Sequence, residues 1–186
     1  MTAAFAALLD LQARYASAGS ALPPTSPEPE YWRGALVGIA GTPLLIAAGD
    51  MEAVIAVPAL TVIPGTRNWV LGIASHHGEL LPIYCGDSLF GQRLSPGRRR
   101  EYCLVIKRSG FHAGITLSRV EGNITLLMEQ RDPETSLDGP LATCCDGGFW
   151  QGERFLGLLD VTRLATDSAL SDTAARPEAI AEDSAQ

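Results

Sequence analysis

Positive charge is scarce in this chain. Its 186 residues include 14 lysines and arginines against 21 aspartates and glutamates, so the net charge is -7 and the isoelectric point lies near 4.9. An acidic protein repels phosphate backbones, which argues against a nucleic-acid partner. The one basic run, residues 98–100, follows Pro96-Gly97, and we interpret it as a solvated loop.

Long apolar runs are missing as well. The longest uncharged stretch, residues 34–49, is too short for an ordinary membrane-spanning helix and is interrupted by Gly41-Thr42-Pro43. Near the start of the chain Asp10 breaks the apolar stretch and no basic segment precedes it, so no secretory signal peptide is expected. We therefore predict a cytoplasmic protein without a membrane span.

Cysteine is too rare for a secreted disulfide scaffold. The chain has four cysteines, Cys85, Cys103, Cys144 and Cys145, and they are expected to be reduced thiols. Cys103 lies in an apolar strand-like run, where a buried and inert thiol is the usual case.

Recognisable catalytic motifs are absent too: there is no nucleophile turn, phosphate loop or dinucleotide fingerprint. Cys85 or Cys103 could still pair with His76, His77 or His112, so a small cytosolic enzyme stays open as an alternative. Adjacent pairs such as His76-His77 and Cys144-Cys145 are expected to converge poorly on one ion. We therefore predict no metal or cofactor, with a metal-binding protein as the weaker alternative.

Composition divides the chain into four segments. Residues 1–18 are predicted to form an amphipathic helix, because Ala4, Leu8, Leu11 and Tyr15 recur at a helical period. This helix either docks on its own domain or binds a partner. A proline-rich linker is expected over 19–30, a folded domain over 31–165 and an acidic disordered tail over 166–186.

The folded segment is predicted to be all-β. Short apolar and β-branched runs alternate with turn residues, and no strong helical pattern lies between them. Two halves, 35–84 and 102–160, have similar strand content and could form two lobes, while Gly147-Gly148 is interpreted as a turn within a loop at 144–148. The predicted strands are 35–40, 44–48, 53–57, 70–74, 79–84, 103–108, 111–117, 123–128 and 154–159.

Glycine, proline and hydrophobic residues also recur in a specific order within this segment. They are Val54-Ile55 followed by Pro58, Thr61 and Pro64; Gly72-Ile73 leading to Gly78 and Leu81-Pro82-Ile83; Gly114-Ile115 with Val120; and Phe155 to Leu159 with Asp160 and Leu164. In this order they resemble the CheW-like adaptor family. The leading helix and proline-rich linker look like the layout of its PilI-type members, which serve type IV pilus chemosensory arrays.

The resemblance implies two packed SH3-like β-barrels, with the N-terminal helix in front and a short helical turn at 161–165 behind. It implies an adaptor that is not an enzyme and has no cofactor. Its partners would be the signalling tip of a methyl-accepting chemoreceptor and the regulatory domain of a CheA-type histidine kinase. The pathway so implied controls type IV pilus twitching motility.

The resemblance also implies where partners bind. The segment Ser75-His76-His77-Gly78 stands where the family usually has Asn-x-Arg-Gly, and Cys85-Gly86 stands where it usually has Asp-Leu. These departures leave open a degenerate adaptor that keeps the fold and has lost one partner. The candidate partner-binding residues are Ala53, Val54, Ile55, Gly72, Ser75, His77 and Gly78.

Overall fold

The computed structural model describes residues 3–17, 29–92, 100–108, 110–166 and 170. The chain divides into two units, Met1–Glu30 and Tyr31–Gln186. Among the described helices, none is long and apolar enough to cross a bilayer.

The first unit contains helix α1, Ala3–Ser17, which confirms the expected N-terminal helix. An ion pair of 2.7 Å between Asp10 and Arg14 joins residues one turn apart. The expected proline-rich linker falls almost entirely on residues 18–28, which lie outside the described residues.

The second unit is built mainly from strands, which confirms the all-β prediction. Two short helices, α2 (Gly86–Leu89) and α3 (Val161–Thr166), follow the fifth and the last strand. The described residues form strands β1 to β11: Tyr31–Ile39, Thr42–Ala47, Met51–Ala56, Val70–His76, Glu79–Tyr84, Tyr102–Arg108, Phe111–Thr116, Arg119–Leu127, Arg131–Asp132, Cys145–Gln151 and Arg154–Leu159.

These strands form two sheets, with the orders β8-β1-β2-β11-β10-β9 and β3-β6-β7-β5-β4. We call the second the inserted sheet, because it comes from one continuous stretch of chain. We call the first the flanking sheet, because its strands come from both sides of that stretch. The sheets therefore do not follow the expected halves 35–84 and 102–160. The reason is the parallel pairing of β2 with β11, which joins the two ends of the strand region.

Both sheets share one pairing pattern. Three antiparallel strands are followed by a parallel neighbour and then by that neighbour's hairpin partner: β8-β1-β2 then β11-β10, and β3-β6-β7 then β5-β4. The first strand along the chain differs between the two sheets. It is the middle strand of the antiparallel trio in the flanking sheet (β1) and the outer strand of the trio in the inserted sheet (β3). Two lobes of one architecture are thus present.

The central strands are buried on both faces. In β1, Val37 joins a core shared by the two sheets, whereas Leu36 points into a core on the other face of the flanking sheet. In β6, Leu104 joins the same shared core and Val105 the far core of the inserted sheet. Burial on both faces explains why the sequences of these strands are nearly continuous apolar runs rather than alternating apolar and polar residues.

The inserted sheet curls until its end strands approach each other. The backbone N–H groups of Thr61 and Ile73 each donate to the other's carbonyl at 2.9 Å, so the chain after β3 extends the outer edge of β4. Glu52 in β3 lies 3.7 Å from His76 in β4, although β3 and β4 stand at opposite ends of the strand order. This curl covers sheet edges that would otherwise be open.

The prediction of a loop at 144–148 is wrong from Cys145 onward. Strand β10 begins there and pairs with both β9 and β11. Gly147 has a φ of 59°, and a side chain there would meet the carbonyl oxygen of Asp132. A side chain on Gly148 would meet the carbonyl oxygen of Leu156. The two glycines therefore serve close strand packing rather than a turn.

Helix α3 confirms the expected helical turn near the C-terminus. The Asp160 carboxylate caps it, accepting hydrogen bonds of 2.8 Å from the Thr162 N–H and 3.2 Å from the Arg163 N–H. Within the segment expected to be disordered, Leu170 is buried in the shared core. The rest of that segment beyond residue 166 lies outside the described residues.

Candidate docking surface and histidine cluster

The residues predicted from β3 are half-buried. Val54 packs against the shared core, and Ile55 packs against the core on the other face of the inserted sheet. β3 therefore presents no exposed apolar strip, and its exposed residues are Glu52 and Ala56. A role of Ala53, Val54 and Ile55 in partner binding stays a prediction.

Gly72 is buried at a bulge in β4. Its φ is 144°, and a side chain there would meet the carbonyl oxygen of Thr61. The pairing of β4 with β5 shifts register between Val70 and Gly72. Gly72 therefore combines a bulge with a close approach of two backbone segments.

Ser75, His77 and Gly78 lie together at the exposed tip of the β4–β5 hairpin. His77-Gly78 forms the turn, with φ angles of 50° and 82°. Two successive positive φ angles are typical of the tight turns that suit twisted strands. Leu80, opposite Ser75 in the ladder, is 73% exposed, so the tip also presents an apolar side chain that the sequence did not single out.

All three histidines of the chain gather beside this hairpin. Nε2 of His76 lies 3.7 Å from the Glu52 carboxylate, and Nε2 of His112 lies 3.4 Å from it. The rings of His76 and His77 pack edge to face with their centroids 4.2 Å apart. We call Glu52, His76, His77 and His112 the histidine cluster. The Nε2 atoms of His76 and His112 are buried and have no hydrogen-bond partner among the described residues.

Glu79 and Lys107 border the histidine cluster. Lys107 Nζ donates a 3.0 Å hydrogen bond to Glu79 Oε2, which also lies 3.4 Å from Nδ1 of His112. The hydrogen bond and charge of Lys107 lower the pKa of Glu79, and the same contact raises the pKa of Lys107. Glu79 is therefore an ionised acceptor that faces Nδ1 of His112.

Two of the four cysteines lack the properties of catalytic thiols. All four are buried, and Cys85, Cys103 and Cys145 are free. Burial raises the pKa of Cys103 to about 11 and that of Cys145 to about 12. A thiol with such a pKa stays protonated at neutral pH, whereas a nucleophilic cysteine needs a lowered pKa.

Arg100 is not the solvated loop residue that its basic run suggested. Its Nε and one terminal nitrogen donate hydrogen bonds of 2.9 and 2.6 Å to the two carboxylate oxygens of Asp87. The Asp87 side chain is only 3% exposed. The other two arginines of the run, residues 98 and 99, lie outside the described residues.

A family model for the CheW-like domain matches residues 33–169, which span both sheets and α3. The chain belongs to the CheW-like domain family. CheW-like proteins are non-catalytic adaptors, so membership confirms the recognition from sequence and the prediction that the chain is not an enzyme.

Two known proteins illustrate the likeness. Protein PilI of Pseudomonas aeruginosa is 30% identical over 118 residues, which are 63% of this CheW-like chain and 66% of PilI, just under two thirds of that relative's length. The crystal structure of the scaffolding protein TtCheW from Thermoanaerobacter tengcongensis superposes with a TM-score of 0.58. That match has 16% identity and covers 74% of this chain and 88% of TtCheW, so it shows the fold alone.

The histidine cluster was not expected from the sequence. From the sequence, His77 was singled out for its family position and His112 only as a possible partner of a cysteine, and Glu52 was not a candidate. The available signal was slight: the chain has three histidines, and two of them are adjacent at a turn. Their meeting with Glu52 depends on the curl of the inserted sheet.

Proposed function

We propose that this CheW-like protein is a cytoplasmic chemosensory adaptor. It couples the signalling tip of a methyl-accepting chemoreceptor to the regulatory domain of a CheA-type histidine kinase, in a pathway that controls twitching by type IV pili. The observation that carries the proposal is the family match over residues 33–169, together with the identity to PilI. The free thiols of Cys85, Cys103 and Cys145 fit a reducing compartment.

The architecture suits non-covalent bridging. An adaptor needs separate exposed patches on a rigid scaffold, and two sheets that share one core can hold such patches at a fixed distance. Individual contacts of moderate strength would gain from multivalency in an array. No reactive group is required for this task, in keeping with the raised pKa values of Cys103 and Cys145.

We place one docking surface on the inserted sheet. Ser75, His77 and Gly78 offer an exposed tip, and Leu80 beside them supplies apolar area that water would otherwise cover. Gly72 acts indirectly, because it is buried and shapes β4 through its bulge. The proposed surface consists of Ala53, Val54, Ile55, Gly72, Ser75, His77, Gly78 and Leu80.

The decisive experiment measures both partnerships with purified proteins. The full chain is titrated calorimetrically with a receptor signalling domain and with a kinase regulatory domain from the same organism, separately and together. Binding of both at once is the expected result. Binding of only one would identify a degenerate adaptor that has lost a partner, and binding of neither would overturn the proposal.

Charged substitutions test the docking surface. Ser75→Glu and Leu80→Glu should each weaken binding of one partner by about tenfold or more, equivalent to ~1.4 kcal/mol. Val120→Glu is the matched control, since Val120 is an exposed apolar residue of the flanking sheet. Equal affinities for all three variants would place the docking surface elsewhere on the protein.

A further inference from the structure

We propose that the histidine cluster, formed by Glu52, His76, His77 and His112, binds a divalent transition-metal ion, with Zn²⁺ the best match. The proposal stands apart from the adaptor function, because it concerns the isolated chain. Imidazole nitrogens with one carboxylate oxygen are a donor set that zinc accepts readily, whereas Mg²⁺ and Ca²⁺ prefer oxygen alone.

The donor atoms already converge. One carboxylate oxygen of Glu52 and one ring nitrogen each of His76 and His77 lie within 4.8 Å of one another. Nε2 of His112 approaches Glu52 from another side at 3.4 Å. Tetrahedral zinc with bonds of ~2.0–2.1 Å holds its donors about 3.3–3.4 Å apart. Glu52 and His77 are exposed, so small side-chain rotations can close the remaining gaps.

The turn explains how adjacent histidines can serve one ion. Adjacent pairs such as His76-His77 were expected to converge poorly on one ion, and successive side chains of a strand do point to opposite faces. His77, however, is a turn residue with a φ of 50°, a conformation in which histidine is found more often than most residues. Its ring consequently lies against that of His76, with the centroids 4.2 Å apart.

Hydrogen bonding around His112 leaves a place for a cation. Nδ1 of His112 faces the ionised Glu79, which Lys107 holds, so the ring proton belongs on Nδ1. Nε2 then carries a lone pair, and it faces an oxygen of Glu52, a second acceptor, at 3.4 Å. A cation between them satisfies both acceptors. A carboxylate behind a metal-binding histidine is also the usual way in which such a ring is oriented.

The ion would join three strands of the inserted sheet. Glu52 belongs to β3, His76 to β4 and His112 to β7, and β3 with β4 are the two ends of the strand order. Bound metal would therefore tie the curled sheet across its open side. Since the unfolded chain cannot assemble these ligands, binding should raise the thermal unfolding midpoint.

The test uses the untagged 186-residue chain, treated with a chelator and dialysed. Calorimetric titration with ZnCl₂ should show one ion per chain and a higher unfolding midpoint in its presence. Co²⁺ should give visible d–d absorption without a thiolate-to-cobalt charge-transfer band. No zinc binding, or a cobalt spectrum with the thiolate band, would overturn the proposal, because the second result would place the metal on the cysteines.

Variants locate the site. His76→Gln and His112→Gln should each weaken zinc binding at least about tenfold, and Glu79→Gln, behind His112, should weaken it by about 10–100-fold. His77→Asn should fold, because asparagine adopts the left-handed conformation of this turn readily, and it should also weaken zinc binding. It therefore tests the site even if a variant of the half-buried His76 or His112 fails to fold. Glu121→Gln is the control, because the Glu121 side chain is as exposed as that of Glu52, at 28%, and lies in the flanking sheet. Unchanged zinc affinity in the histidine variants would refute the site.

Discussion

Glu52 of the inserted sheet and Glu121 of the flanking sheet occupy equivalent places. Each glutamate is the extra residue of a bulge: Glu52 in β3, which pairs with β6, and Glu121 in β8, which pairs with β1. β3 and β8 are also the first strands of the three antiparallel strands in their sheets. Their side chains are equally exposed, at 28%. The same backbone frame thus presents the same carboxylate twice.

The neighbours of the two glutamates differ. Glu121 lies 3.5 Å from Arg154, a permanently charged side chain. Glu52 instead faces His76 and His112, whose rings can be neutral donors to a metal. In the flanking sheet the positions that correspond in register to these histidines are occupied by Gln151 and Pro43, which offer no imidazole nitrogen. One backbone frame can therefore hold a closed ion pair in one lobe and an open set of donor atoms in the other.

The largest effects are expected where the two sheets are most alike, in their cores. Phe149 in the flanking sheet and Leu81 in the inserted sheet are both fully buried. Phe149→Ala should cost about 3–5 kcal/mol and Leu81→Ala about 2–5 kcal/mol. Since both sheets line one shared core, each variant should shift a single unfolding transition, followed by circular dichroism and tryptophan fluorescence. Two separate transitions, each moved by one variant only, would show that the lobes unfold independently.

The next largest effect is expected for the ion pair between Arg100 and Asp87, a residue of the helix α2 that follows β5. Arg100→Ala leaves the buried Asp87 side chain without its partner, at a cost of about 3 kcal/mol in chemical denaturation. Arg108→Ala is the control, since Arg108 pairs with Asp50 but its own side chain is 48% exposed. A larger loss for Arg108→Ala than for Arg100→Ala would contradict this ranking.

A smaller effect, dependent on pH, is expected in the flanking sheet. Asp132 accepts hydrogen bonds from Thr135 and Trp150, which hold its pKa well below the usual range. A lowered folded pKa adds stability above the unfolded pKa of ~3.9, and that stability is lost as the pH falls through the folded pKa. Asp132→Asn should therefore lower the thermal unfolding midpoint at neutral pH, and the difference in midpoint from the unmodified protein should become smaller below pH ~4. Thr135→Ala should show the same trend. A difference in midpoint that grows in acid would contradict the stabilising role of the Asp132 carboxylate.

The smallest effect is expected for exposed ion pairs in either sheet. Lys107 and Glu79 are both more than half exposed, and Arg154 is nearly so. Lys107→Ala and Arg154→Ala should leave the thermal unfolding midpoint unchanged within error, because solvent screens such pairs. A loss of stability comparable to that of Arg100→Ala would mean that solvent does not screen these surface pairs.

Much of the fold follows from local pattern. The bounds predicted for β5 and β11 are those observed, and α1 and α3 lie within two residues of their predicted bounds. β10 was missed because Gly147-Gly148 is usual in turns, whereas here the two glycines let neighbouring strands approach closely. β9 has two residues and carries no periodic signal of its own.

The candidate site divides in the same way. The turn composition and family position of Ser75, His77 and Gly78 were visible in the sequence, and the structure places all three at one exposed tip. Leu80 escaped attention because its neighbours are apolar as well, and only the ladder with Ser75 shows which of them faces outward.

By itself the sequence determined what depends on composition and neighbouring residues: the net negative charge, strand periodicity, the hairpin turn, and membership of an adaptor family. The tertiary structure alone decided which distant residues meet: β2 with β11, Arg100 with Asp87, and Glu52 with His76 and His112. Such meetings depend on strand register and sheet curl. Both arise from packing between segments far apart in the chain, and no local pattern records them.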